Sequence, residues 1–191
     1  MIIGKFLDIW QNVIKTPNEF FENMPKEGGF AEPVTFAFIN YMILGIGLFI
    51  LSIIGNIILL IIGTDTNSAL FTIIFCFFIY IIFIPLFAVI GLFISGAIYQ
   101  FLFKYLDGTG TYEGTVRIVS YSSAVVLVVW IPILGWLFAL YQIYLIIIGG
   151  TFVHGLTTSR SAIAVLIPML IIPLVMILLS IVLSTLIVLI F

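Results

Sequence analysis

Two long stretches without a single charge restrict this chain more than any other feature. Residues 69 to 103 contain no Asp, Glu, Lys or Arg, and neither do residues 118 to 153. Residues 34 to 62 and 162 to 190 have the same character. A helix needs about 20 apolar residues to cross a hydrocarbon core about 30 Å thick. The chain is 64% hydrophobic and 7% charged, with a mean hydropathy of +1.42, whereas soluble domains are about 25% charged. An integral membrane protein of all-α class is therefore expected. No basic stripe is present for nucleic acid. The single cysteine, Cys76, excludes an intramolecular disulfide and, with one histidine, any Cys/His metal cluster, and no cofactor is expected.

The apolar runs divide at turn-forming residues. Thr64-Asp65-Thr66-Asn67-Ser68 separates the first two. As one helix, residues 69 to 103 would be about 52 Å long, with Pro85 near the middle. Either one kinked helix projects from the bilayer or two short spans meet at the proline. Further on, Trp130-Ile131-Pro132-Ile133-Leu134-Gly135-Trp136 splits a second overlong run. Paired tryptophans suit a membrane interface, which favours a tight outer hairpin; a re-entrant turn buried in protein is the alternative.

Charge chooses among these topologies. With Pro85 as a kink, five spans result, at about 34–62, 69–103, 112–132, 136–155 and 162–190. With the N-terminus inside, Lys5, Lys15, Lys26, Lys104, Arg117 and Arg160 then share the cytoplasmic side, leaving Asp65 on the other. Splitting at Pro85 would send Lys104, Arg117 and Arg160 across, against the positive-inside rule. Five transmembrane helices, with N-terminus cytoplasmic and C-terminus outside, are expected for a domain over 34–191.

Residues 1–33 form a polar preface. Phe6, Leu7, Ile9, Trp10, Val13 and Ile14 recur at helical spacing among Lys5, Asp8, Gln11, Asn12 and Lys15. An amphipathic helical segment is expected, with Phe6 and Trp10 as anchors at the headgroups or against the chain's own helices. Thr16-Pro17-Asn18-Glu19 then has the spacing of an N-cap, a first-turn proline and a capping-box acid. Trp130 and Trp136 are the corresponding anchors of the hairpin.

Against this background, Asp107 to Ser122, DGTGTYEGTVRIVSYS, is unusually polar. If the third span begins near Thr111, Glu113 lies in its first turn, Arg117 follows at i+4 and Tyr121 four residues later, so one face descends from water toward lipid. Two readings stand. Arg117 snorkels to the interface as an anchor, or the stripe joins Glu32, Asp107, His154 and Arg160 in a cytoplasmic cluster for partner recognition.

Several segments together resemble the Yip1 domain family of five-span membrane proteins. The resemblance covers nearly the whole chain. It rests on Trp10 to Met24, WQNVIKTPNEFFENM, on Gly110 to Ser122, GTYEGTVRIVSYS, and on Pro132, Gly135, Tyr144, Gly149, His154 and Gly155. Eukaryotic relatives act in vesicle traffic and bind small Rab GTPases, so the resemblance implies a trafficking or scaffold role and no reaction. Where those relatives carry an Asp-Leu-Tyr-Gly-Pro type motif before the first span, this chain has Glu32-Pro33. Its short tail is more similar to prokaryotic members, in a cell membrane, and Rab binding is not carried over.

Three function classes follow. A non-enzymatic scaffold or adaptor, with the bilayer and a cytoplasmic protein as partners, agrees best with these features. A small transporter or channel is the alternative, on the polar residues Asn40, Asn56 and Gln100. An intramembrane enzyme is least in keeping with the sequence, since His154 is the only imidazole and no serine or cysteine has an evident base.

Overall fold

The computed structural model describes residues 2–63, 65–131 and 133–190, with side chains described between 4 and 185. Pro132, on which part of the expected hairpin falls, lies outside the described residues. All regular structure described is helical. In chain order these elements are α1 (Ile2–Lys15), α2 (Pro17–Asn23), α3 (Ala31–Ile62), α4 (Thr66–Phe77), α5 (Ile84–Tyr105), α6 (Tyr112–Ser122), α7 (Leu134–His154) and α8 (Thr158–Ile190). Four continuous helical stretches are long and apolar enough to cross a membrane: Ala31–Ile62, Thr66–Tyr105, Leu134–His154 and Thr158–Thr185.

Pro85 bends no break into the second of these. Thr66–Tyr105 is one helix of 40 residues, about 60 Å long, in which α4 passes into α5 through a π-helical stretch, Phe78–Phe83. A proline removes one backbone donor and crowds the carbonyl four residues earlier. The widened turn lies just ahead of Pro85, where that carbonyl needs room. It also meets α3 closely: a Cβ on Gly45 would collide with the backbone carbonyl of Tyr80.

The stretch expected as the third span is shorter and tighter than its apolar run. α6 has 11 residues, and the 3-10 turn Ser123–Val128 that continues it has 6, together about 28 Å. It forms the centre of the bundle, packed against α3, α5 and α7, with every residue from Gly114 to Val126 buried. Trp130 then places its ring 2.6–2.8 Å from where a Cβ on Gly47 would stand. Gly47 is half way along α3, so Trp130 stands about 22 Å short of the α3 end at Ile62. Beyond it α3, α4 and the second half of α8 present apolar faces outward, Ile57, Phe71 and Leu174 among them. Of the two tryptophans, Trp136 is 82% exposed, while the Trp130 indole N–H donates to the Leu127 carbonyl at 2.7 Å.

At the opposite end α1 and α2 fold back on the bundle. Along α1, Phe6, Ile9, Trp10 and Ile14 are half-buried and Val13 is fully buried, while Lys5, Asp8, Gln11, Asn12 and Lys15 are exposed. The contacts are with protein. Phe6 packs on Phe36 with ring centroids 5.1 Å apart, Trp10 donates from its indole N–H to the Ala124 carbonyl at 2.8 Å, and Tyr141 donates from its hydroxyl to the Ile14 carbonyl at 2.9 Å. Thr16 does not cap α2. Its N–H and hydroxyl both donate back to the Asn12 carbonyl, at 2.9 and 3.2 Å, because the residue still belongs to the last turn of α1. Two other caps do form: Thr111 Oγ1 accepts from Gly114 N–H at 3.2 Å, and Asp65 accepts from Ser68 N–H at 3.0 Å.

Candidate functional site

The polar stretch that opens α6 divides into two constructions. In the first, Arg117 is 2% exposed and its Nε donates to Glu113 Oε1 at 3.2 Å. Its Nη2 donates to the Gly29 carbonyl at 2.8 Å, and the same Glu113 oxygen accepts from Gly29 N–H at 2.7 Å. The i+4 spacing therefore pairs the two side chains as expected on a helix, and together they grip both backbone groups of one glycine. Gly28 and Gly29 hold φ of 124° and 87°, values that favour glycine. The guanidinium fork suits this grip, since it aims two donors in fixed directions. Arg117 thus reaches neither headgroups nor water; it fixes the turn between α2 and α3.

The second construction surrounds His154, which is fully buried. Its Nε2 lies 2.8 Å from Thr115 Oγ1. Thr115 has one proton, and its hydroxyl also meets two pure acceptors, Gln100 Oε1 and the Thr111 carbonyl. The proton goes to one of these, so the threonine oxygen accepts from His154 Nε2–H, which leaves Nδ1 as the bare nitrogen. Nδ1 has no partner among the described residues and faces Gly108 and Gly110, where a Cβ would come within 3.1 and 2.8 Å of it. Gln100 Nε2 donates to the Gly110 carbonyl at 3.1 Å, and Thr109 N–H donates to the His154 carbonyl at 3.0 Å. The 106–111 loop is thereby stitched to the ends of α5, α6 and α7.

The remaining candidates lie apart from both. Arg160 Nη1 donates to Asp107 Oδ2 at 3.0 Å on an exposed surface. Lys5 Nζ and Glu32 Oε1 pair at 2.8 Å. Tyr121 is buried between Phe20 and Phe36, at centroid distances of 5.1 and 5.4 Å. The seven residues Glu32, Asp107, Glu113, Arg117, Tyr121, His154 and Arg160 thus gather at one end of the bundle without forming one cluster. Gly29, Thr115 and Lys5, which complete these groups, were not singled out from sequence. Their partners lie 88, 39 and 27 positions away, beyond any local spacing rule.

Nor do the polar side chains of the helices converge. Asn40 Nδ2 donates to Ser123 Oγ at 3.1 Å, Asn56 Nδ2 to the Ser52 carbonyl of its own helix at 2.8 Å, and Gln100 belongs to the histidine group. Among the described residues no group of three His, Cys, Asp or Glu side chains could hold a metal ion.

Charge and packing together give the molecule one polar end and one apolar end. Of its six Lys and Arg and eight Asp and Glu residues, all but Asp65 lie on α1, α2, the α2–α3 turn, the first turn of α3, the last turn of α5, the α5–α6 connection, α6 or the start of α8. The Yip1 domain family model matches this chain over residues 12–188. The chain belongs to the Yip1 domain family. The matched Yip1 domain begins within α1 and runs nearly to the end of α8, so it takes in α2, the Gly28-Gly29 turn, the Glu113–Arg117 grip and the histidine group as parts of one unit. The Yip1 family is in general a non-enzymatic membrane family. No curated protein and no solved structure matches the chain.

Proposed function

We propose that this Yip1 domain protein is a non-enzymatic membrane scaffold or adaptor whose polar end faces the cytoplasm and presents a fixed surface to a protein partner. Five membrane-embedded helical segments follow the amphipathic α1–α2 preface: α3, α4–α5, α6 with its 3-10 continuation, α7 and α8. The N-terminus lies inside and the C-terminus outside, as the grouping of all six cationic side chains favours. A prokaryotic cell membrane is the proposed location.

The observation that carries the reading is the spending of the buried polar groups on architecture. Arg117 and Glu113 lock the α2–α3 turn, and His154, Thr115 and Gln100 lock the α5–α6 loop. Neither set is open to a substrate. What they hold rigid is a charged outer surface that includes Lys15, Glu22, Lys26, Glu27, Asp107 and Arg160, all exposed. A pre-organised surface loses less entropy when a partner docks. Asp107 and Arg160 belong to the recognition face, and Arg117 and Glu113 support it from beneath.

The test is photo-cross-linking in intact membranes, with the reactive side chain placed at Glu22 or Glu27 on the polar end, or at Asn67 on the other. Protein adducts from the first two positions, absent at Asn67 and lost when Lys26 and Arg160 are both changed to Glu, support an adaptor. Equal labelling from both ends, or adducts indifferent to the charge reversal, reject it.

A further inference from the structure

Between α1 and α2 lies an open cavity of about 400 Å³. Ile9, Phe20 and Tyr121 form its floor, and Lys5, Glu19 and Glu32 stand at its rim. Tyr121 is 3% exposed, none of the described residues hydrogen-bonds its hydroxyl, and the residue lines the cavity. The Glu19 carboxylate is likewise outside the three ion pairs of the described residues. The Lys5–Glu32 pair closes one side of the rim. Immediately beyond it, between α1 and α3, is a second recess of about 340 Å³, lined mainly by Phe6, Ile9, Phe36 and Ile39. Below that recess the outward apolar face of α3 begins with Phe38 and Ile43, surface suited to lipid chains.

We propose that the two recesses form one site for a zwitterionic phospholipid. The ammonium of its head group sits in the α1–α2 cavity, over the Phe20–Tyr121 rings and against Glu19 and Glu32. Aromatic faces with carboxylates beside them are the chemistry of ammonium recognition. The phosphate lies at Lys5, within reach of the Tyr121 hydroxyl, and an acyl chain follows the α1–α3 recess onto the lipid-facing side of α3. Two carboxylates against one lysine leave the rim net negative, which disfavours a head group that carries only the phosphate charge. The site requires a membrane setting and does not depend on a protein partner.

The full-length protein, stripped of lipid in mild detergent, is offered phosphatidylethanolamine or phosphatidylglycerol of identical chains, and bound lipid is counted by native mass spectrometry. Phosphatidylethanolamine is expected to be retained about fivefold better. Glu19→Gln should abolish that preference, and Glu22→Gln, on the same helix but outside the cavity, should preserve it. Tyr121→Phe, which keeps the ring and removes only the hydroxyl, should lower retention, with circular dichroism confirming an unchanged helix content. Equal retention of the two lipids by the wild type, or identical behaviour of Glu19→Gln and Glu22→Gln, overturns the site.

Discussion

Arg117 shows how far a single side chain can depart from the role its position suggests. On a helix that starts at the polar end, a cation one turn below Glu113 has the spacing of a snorkelling anchor. Instead its fork is turned inward onto the Gly29 carbonyl and Glu113. Removing one partner of a buried pair strands the other, at a cost of about 3–5 kcal/mol, so Arg117→Ala should lower stability on that order in denaturant unfolding in detergent. Arg117→Lys keeps the charge but cannot serve both partners, and the lost charged hydrogen bond should cost about 1.5–3 kcal/mol. Glu113→Gln retains an acceptor for Gly29 N–H and should be the mildest of the three. Equal tolerance of Arg and Lys would mean that the grip contributes nothing. None of this was legible from sequence, because Gly29 lies 88 positions from its partner; the pairing of Glu113 with Arg117 was, because i and i+4 are neighbours on any helix.

At the scale of elements, the apolar runs and their Pro/Gly punctuation located the helices well. The start of α6 at its Thr111 cap agrees with the helix start considered for DGTGTYEG, and the unbroken passage through Pro85 agrees with the kink that the positive charges favoured over a break. Depth within the bundle did not follow. The Trp130–Trp136 turn has the composition of an interface, but its level is set by Trp130 lodging on Gly47, a contact between distant stretches. Glycines where helices touch offer a graded test. Gly45→Ala would drive a methyl into the Tyr80 backbone carbonyl, which cannot move without the helix, whereas Gly47→Ala meets a rotatable tryptophan ring and Gly55→Ala meets nothing. Overpacking of this kind costs about 1–3 kcal/mol, so thermal unfolding should rank Gly45→Ala as most damaging, Gly47→Ala next and Gly55→Ala near wild type. An equal loss at Gly45 and Gly55 would contradict the α3 packing. For α1 the pattern of apolar residues was readable, with headgroups and the chain's own helices as its two possible settings, but not the particular contact of Trp10 with Ala124. Trp10→Glu removes that hold and places a charge against the 3-10 turn. Backbone hydrogen exchange should then accelerate over residues 4–15, and unchanged protection would mean that α1 is fixed by other contacts.

For the whole molecule, the central claim is that the polar end faces the cytoplasm, since the adaptor surface requires it. Asp65 alone among the charged residues stands at the other end, beside Asn67 at the start of α4. Glu27 projects from the exposed turn between α2 and α3, open to a reagent. The measurement is labelling by a membrane-impermeant thiol reagent of Glu27→Cys and Asn67→Cys, each with Cys76→Ser, in intact cells and again after permeabilisation. Asn67→Cys should react in intact cells, and Glu27→Cys only once the membrane is opened. Labelling of Glu27→Cys from outside, with Asn67→Cys protected, would invert the molecule and contradict the account.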